Sequence, residues 1–79
     1  MAREAIYMPK FGMTMTEGII VEWHFAEGDA VNEGDALLTV ETEKVDTEID
    51  APVSGKLVDV QYPVDAEVPV GEIIAYIEY

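Results

Sequence analysis

The side chains that could do chemistry crowd into one stretch of this sequence. Val40-Glu-Thr-Glu-Lys-Val-Asp-Thr-Glu-Ile49 places a single amine, Lys44, among Glu41, Glu43, Asp46 and Glu48. An amine in that setting is either a solvated charge or a point of covalent attachment, and the pattern alone leaves both open. Glu48 and Asp50 share a strand face, as the paired carboxylates of a hydrolase would. Without a pocket, nothing would push one of their pKa values away from the other. Asp46, Glu48 and Asp50 also lack the loop glycine of a calcium-binding EF-hand. His24 is the one histidine, alternates with apolar positions beside Glu22, and has no partners for a catalytic triad. With no cysteine, a disulfide framework, a zinc-thiolate site and a cysteine nucleophile are all ruled out.

The elements that position these groups must be small. At 79 residues the chain is one domain, 1–79. A domain of this size buries only roughly 60% of the surface its unfolded chain exposes. That supports one modest core and leaves little room for a deep cleft. The hydrophobic share of 49% suits a folded chain despite a net charge of -13. Seventeen Asp and Glu against four Lys and Arg repel phosphate backbones and anionic lipid. Nucleic-acid and membrane-surface roles are therefore not expected; an isolated monomer is, with an acidity that either favours partners bearing basic patches or serves solubility alone. No apolar run is long enough to span a membrane, and no signal or transit peptide is visible. A cytoplasmic, prokaryotic protein is the expected setting.

The chain repeats itself once. Gly18–Glu41 slides onto Gly55–Glu78 at an offset of 37 positions without a gap. Gly18 meets Gly55, Val21 meets Val58, Val31 meets Val68, Gly34 meets Gly71 and Glu41 meets Glu78. Upstream, Pro9 meets Pro52 at an offset of 43, so the first half carries an insertion of six residues before Gly18. Local signals are those of strands. From Val45 to Ala51 the apolar and acidic residues alternate. Val21, Trp23 and Phe25, with their mates Val58, Val60 and Tyr62, are expected to face the core with Ile6, Met8, Val40, Ile49 and Ile77. Gly34 and Gly71 are expected at turns with positive φ. Short strands with frequent turns, duplicated, predict an all-β flattened barrel or sandwich of two roughly four-stranded sheets related by a pseudo-twofold axis.

The axis has a consequence for Lys44. The hairpin that joins the halves is the symmetry mate of the two chain ends. Glu43-Lys44 should therefore lie at one end of the domain and both termini at the other. The connection lacks the Asn-Gly or Asp-Gly signal of the tightest hairpins, so a type I turn is expected there.

Glu41-Thr-Glu-Lys-Val-Asp-Thr-Glu-Ile-Asp-Ala-Pro-Val-Ser-Gly55 resembles the lipoylation motif of lipoyl domains of 2-oxo acid dehydrogenase complexes. Met8-Pro-Lys-Phe-Gly-Met-Thr-Met-Thr-Glu-Gly18 is similar to the start of their acyltransferase (E2) chains. The resemblance covers essentially the whole chain. Members commonly have Asp before the lysine where this chain has Glu43, and often Ala where it has Val45. The resemblance implies a non-catalytic carrier, the N-terminal piece of a longer dihydrolipoamide acyltransferase. It implies lipoic acid in amide linkage to Lys44, attached by a lipoate-protein ligase that reads Glu41, Glu43, Val45 and Asp46. The swinging arm would accept an acyl group from a thiamine-diphosphate-dependent E1, pass it to coenzyme A at the E2 catalytic core, and be reoxidised by the E3 dihydrolipoamide dehydrogenase. The inserted loop would contribute partner recognition through Lys10, Phe11, Gly12, Met13, Thr14 and Met15, with Phe11, Met13 and Met15 either exposed to a partner or packed down on the barrel. The opening motif looks more like pyruvate- or acetoin-type complexes than oxoglutarate-type ones.

Two rivals share the fold. A biotin carrier also modifies a hairpin lysine, but its sites look like Met-Lys-Met, whereas Lys44 is flanked by Glu43 and Val45. The other is an interaction module that is never modified. A glycine-cleavage H-protein has similar chemistry in a longer chain.

Overall fold

The computed structural model describes residues 2–10, 15–42 and 45–79. Eight strands follow one another: β1 (Arg3–Tyr7), β2 (Glu17–Trp23), β3 (Ala30–Val31), β4 (Ala36–Glu41), β5 (Asp46–Asp50), β6 (Gly55–Val58), β7 (Glu67–Pro69) and β8 (Ile73–Glu78). They form two four-stranded sheets, ordered β1-β8-β6-β3 and β5-β4-β2-β7, and every pair is antiparallel. The expected all-β barrel-sandwich is what the chain adopts, and none of its described residues is in a helix long and apolar enough to cross a membrane.

The sequence repeat is the architecture. Under the offset of 37, β3 falls on β7, β4 on β8, and β2 on the stretch containing β6; under the offset of 43, β1 falls on β5. Each sheet thus maps onto the other strand for strand. The register obeys the same rule. Arg3↔Glu78, Ile6↔Ala75 and Tyr7↔Ile73 in one sheet correspond to Asp46↔Glu41, Ile49↔Leu38 and Asp50↔Ala36 in the other, bulge included.

The core lies between the sheets. Ile6, Met8, Val40, Ile49 and Ile77 are buried as expected, joined by Ile20, Leu37, Leu38, Leu57, Val68 and Ile74 among others. The expected face of β2 is corrected. Val21 is 41% exposed, while Ile20 and its mate Leu57 are fully buried. A bulge between Ile20 and Glu22 explains the switch. A bulge puts one extra residue on one strand, so side chains before and after it alternate in opposite phase. Ile20 points inward before it; Trp23 and Phe25 pack against the core after it. At the mate of Glu22, Asp59 takes a positive φ of 51°. Beyond it Val60 and Tyr62 pack inward, half-buried.

The turns show how the two halves solve one problem differently. In the first half the Ala26 and Asn32 N–H groups donate to the carboxylates of Asp29 and Asp35, at 2.8 and 2.9 Å. Their mates are Pro63 and Pro69, which have no N–H to satisfy. There the mates of the aspartates are Ala66 and Glu72, and only the backbone bonds Ala66 N–H to Pro63 O and Glu72 N–H to Pro69 O remain, each 3.2 Å. Gly34 and Gly71 have φ of 92° and 90°, as expected for those turns. A side chain in the left-handed region costs roughly 1–2 kcal/mol. Gly34→Ala is therefore expected to lower the unfolding free energy by about that amount, read as a lower urea midpoint at unchanged m-value. An unchanged midpoint would contradict the turn geometry.

The chain ends and the β4–β5 hairpin lie at opposite ends. Ala2 and Tyr79 exchange both backbone hydrogen bonds at 2.9 Å, continuing the β1–β8 pair. Glu78 pairs with Lys56, just past Ser54, whose hydroxyl accepts the Glu33 N–H at 2.8 Å. The Asp35 carbonyl accepts the Ala51 N–H at 2.8 Å beside the start of β4. Strand β4 therefore begins near the termini and runs its six residues away from them, roughly 17–20 Å at strand rise. The molecule is longest in one direction, 36 × 20 × 19 Å.

Candidate functional site at the hairpin mouth

The limbs of the β4–β5 hairpin are rooted in the core and end in water. Leu38 and Val40 are fully buried and Ile49 is 8% exposed, whereas Val45 is 57% exposed. Asp46, Glu48 and Asp50 face solvent along β5. The mouth is closed by three bonds between Thr42 and Val45. The Thr42 N–H and hydroxyl each donate to the Val45 carbonyl at 2.9 Å. The hydroxyl also accepts the Val45 N–H at 3.4 Å. A threonine side chain bonding its own turn fixes the limbs to one another. This pair is the repeat mate of Tyr79 and Ala2; it keeps one of their two backbone bonds and turns the Val45 N–H to the Thr42 hydroxyl in place of the other. Glu43 and Lys44, the two residues the chain places between Thr42 and Val45, lie outside the described residues, and so does the type I turn expected there.

Of the inserted loop, Phe11, Gly12, Met13 and Thr14 lie outside the described residues. Lys10 is exposed. Of the two placements open to the loop's apolar residues, Met15 takes the packed one, half-buried against the core. The loop's two ends are held to the β7–β8 turn. Met8 accepts the Gly71 N–H and Thr16 accepts the Val70 N–H, both at 2.9 Å. This brings the loop's exit beside the hairpin. A shallow cleft of about 350 Å³ is lined by Met15, Glu17 and Ile19 from the loop exit and β2, by Glu41 and Thr42 from the hairpin, and by Glu67 from β7. Glu17, Ile19 and Glu67 were not among the residues singled out in the sequence. Glu67 reaches the cleft only through the pairing of Ile19 with Glu67. No local pattern announces that pairing.

The hairpin end is acidic. Glu41, Asp46 and Glu48 are exposed there with Glu17 and Glu67. The positive charges Arg3 and Lys56 lie in the other sheet. Arg3 bonds Asp59 and sits 3.5 Å from Glu78. Those two carboxylates, Asp59 foremost, hold its guanidinium pKa above the ordinary value. Its charge lies 5.7 Å over the Tyr76 ring. His24 is on the outer face, 2.8 Å from the Thr39 hydroxyl and 3.5 Å from a Glu48 oxygen. Among the described residues no cluster of three His, Asp or Glu side chains could hold a metal ion.

One carboxyl in the cleft has its pKa pushed above the ordinary glutamate value. A hydrogen bond shared with Glu67 raises the Glu17 pKa, with burial and the Glu67 charge adding to it. A carboxyl whose pKa is higher folded than unfolded contributes stability that is full below its unfolded value and lost as pH rises through the folded one. The wild-type chain should therefore lose ground to Glu67→Gln as pH climbs from about 4 to about 7 through the glutamate range. Thermal midpoints across that interval check this; parallel curves for the two proteins would contradict it.

Comparison with known proteins agrees with the geometry. The family model for biotin- and lipoyl-bearing domains, described as biotin-requiring enzyme, matches residues 4–77. Over 72 residues, 91% of this chain, it is 39% identical to the dihydrolipoyllysine-residue acetyltransferase component of the acetoin cleaving system of Bacillus subtilis. Over the same share it is 46% identical to the corresponding component of the pyruvate dehydrogenase complex of Corynebacterium glutamicum. It spans only 18% and 11% of those two proteins. The solution structure of the lipoyl domain of the 2-oxoglutarate dehydrogenase complex of Azotobacter vinelandii superposes with a TM-score of 0.80 at 25% identity, covering 95% of each chain. With its repeat, its paired four-stranded sheets and its core-rooted hairpin all in place, the chain belongs to the biotin/lipoyl-attachment family.

Proposed function

We propose that this chain is a lipoyl carrier domain with lipoic acid in amide linkage to Lys44 Nζ. The observation that carries the proposal is the β4–β5 hairpin, closed at Thr42–Val45 at the end of the domain farthest from the chain termini. The described surroundings fit such a group. Val45, Glu41 and Asp46 flank the two-residue connection and are exposed, so an enzyme can approach from either side.

When bound, the lipoyl group supplies the dithiolane on which acyl groups are carried and electrons exchanged; the protein supplies position and recognition. The chain has no sulfhydryl of its own. The buried Leu38, Val40 and Ile49 hold the limbs stiff, and the hydrogen-bonded Thr42 sets where the connection leaves the sheet. A tether on either terminus would join the domain at the end opposite the Thr42–Val45 pair. Linkers of that kind produce effective concentrations on the order of mM at a neighbouring site. The partners in this reading are a thiamine-dependent E1, the E2 catalytic core, the E3 dihydrolipoamide dehydrogenase and a lipoate-protein ligase. A 2-oxo acid complex of the pyruvate or acetoin type is favoured by the two relatives at 39% and 46% identity. The same proposal makes this chain the N-terminal domain of a longer cytoplasmic acyltransferase. Glu41, Glu43, Val45 and Asp46 then serve the ligase, and the loop from Lys10 to Met15 serves E1.

The test separates the carrier from its rivals. Incubation with lipoate, ATP and a lipoate-protein ligase should add one lipoyl group, while a biotin-protein ligase adds nothing. Biotin uptake instead would favour a biotin carrier, and no uptake from either enzyme would favour an unmodified interaction module. Exchanging residues 10–16 for a short glycine-serine segment should slow acylation by E1 and leave lipoylation intact; unchanged acylation would count against the loop.

A further inference from the structure

We propose that the free edge of β1 pairs antiparallel with the same edge of a second copy of this chain, in a register centred on Ala5. Each sheet has two edges, β1 and β3 in one and β5 and β7 in the other. Strands β3 and β7 have two and three residues, too short to template another strand. Strands β1 and β5, five residues each, are repeat mates, and their edges differ in chemistry. Asp46, Glu48 and Asp50 line β5. Antiparallel self-pairing there would set Glu48 against Glu48 and Asp46 against Asp50, and like charges directly opposite destabilise a ladder. The mates of those three on β1 are Arg3, Ala5 and Tyr7, with no negative charge among them. One long edge of the domain is guarded and the other is not.

The backbone of β1 is complementary to itself. Ala2 exchanges both bonds with Tyr79, and Met8 bonds to Glu72 and Gly71 on the β8 side. Alternate residues of an antiparallel strand turn their N–H and C=O to the same neighbour. The even positions therefore serve β8, and Arg3, Ala5 and Tyr7 direct theirs away from it. Among the described residues no backbone hydrogen bond reaches these three from that side. In the proposed register Ala5 meets Ala5, and Arg3 meets Tyr7 of the second copy, each as a hydrogen-bonded pair. The three side chains share the outer face, because Ile6 between them is buried. Tyr7 is 54% exposed, and the Arg3 side chain 46%. Pairing lays each guanidinium toward a tyrosine ring of the other copy, cation to aromatic face, as Arg3 already lies over Tyr76. The twofold closes the contact, so assembly stops at two. One strand edge is a small contact beside the roughly 1,200 Å² or more of stable complexes. Each copy carries a charge of -13, so dilute chains stay apart as the expected monomer. At the concentrations on the order of mM that tethering produces, the pair forms. Its antiparallel arrangement sends the two β4–β5 hairpins to opposite ends.

Amide NMR of the unmodified 79-residue chain from roughly 0.05 to 2 mM tests this. The Arg3, Ala5 and Tyr7 signals should move with concentration while those of Asp46, Glu48 and Asp50 stay fixed. A mixture of isotope-labelled and plain chain should give an intermolecular Overhauser effect between the α-protons of Glu4 and Ile6, which face one another as a non-hydrogen-bonded pair in this register. Ala5→Glu copies the residue of the mated edge and should remove both effects, with the buried Val40 and Val68 methyl signals unmoved. Ala5→Pro deletes an N–H that β8 does not use and should do the same. Salt screens the like charges and should strengthen the pairing several-fold. Fixed β1 signals over the whole range would overturn the proposal, as would shifts centred on β5 or on another surface. Association that persists in folded Ala5→Glu would overturn it too.

Discussion

Lys44→Arg yields a folded domain that a lipoate-protein ligase leaves unmodified. Arginine keeps the positive charge and the length, so the acidic surroundings of Glu41, Asp46 and Glu48 are still balanced. Its guanidinium does not deprotonate in proteins and provides no free amine to acylate. The hydrogen bonds that close the mouth belong to Thr42 and Val45 and involve no side chain at position 44. A surface substitution of this kind changes stability by no more than about 0.5 kcal/mol. The expected result is complete loss of the mass gain, with the thermal midpoint and circular dichroism of the wild type. Residual lipoylation of the variant would mean that another amine accepts the group. Loss of fold would mean that the position carries structure as well as cofactor.

Among the described glycines, Gly55→Ala is expected to be the most damaging substitution. Its Cβ would sit 2.4 Å from the Glu78 carbonyl oxygen and 2.8 Å from the Ile77 Cγ2. The oxygen belongs to the backbone of β8, between β1 and β6 in their sheet, and has little room to retreat. Overpacking against such a neighbour costs typically 1–3 kcal/mol, occasionally more, and the upper part of that range applies. A domain of 79 residues has a total of only about 4–12 kcal/mol to lose. The repeat supplies an internal control in Gly18→Ala. There the new methyl meets the Met8 Sδ at 2.9 Å and the Met15 Cε at 3.3 Å, both near the ends of flexible side chains. That variant should lose less than about 1.5 kcal/mol. Urea titrations of the two variants decide it: a clearly lower midpoint for Gly55→Ala agrees with the packing, and equal losses contradict it.

Much of the architecture was legible because duplication writes each element twice. Val31 and Val68, Gly34 and Gly71, and Glu41 and Glu78 are the same side chains at the same places in the two halves, and together they locate the sheets and the hairpin between them. The inward face of β2 was misread for a definite reason. Val21, Trp23 and Phe25 look like one apolar stripe, but the bulge between Ile20 and Glu22 splits the strand into two opposite phases. A bulge contributes no distinctive residue type here, so nothing in the local pattern marks it. The shortest strands, β3 and β7, have two and three residues, too few to establish a period. The cleft was invisible for a related reason. Glu17, Glu41 and Glu67 come from three separate strands and meet only because β4, β2 and β7 lie side by side. In contrast, Lys44 and the acidic residues around it stand within one contiguous motif, and that is why the proposed attachment point could be picked out as a residue.

Peptide mapping of the ligase-treated chain by mass spectrometry puts the central claim to the most direct test. A lone hairpin amine opposite the termini predicts that lipoate is found on Lys44 in every modified molecule and never on Lys10 or Lys56. Lipoate on either of those two lysines, with Lys44 bare in a folded chain, would contradict it.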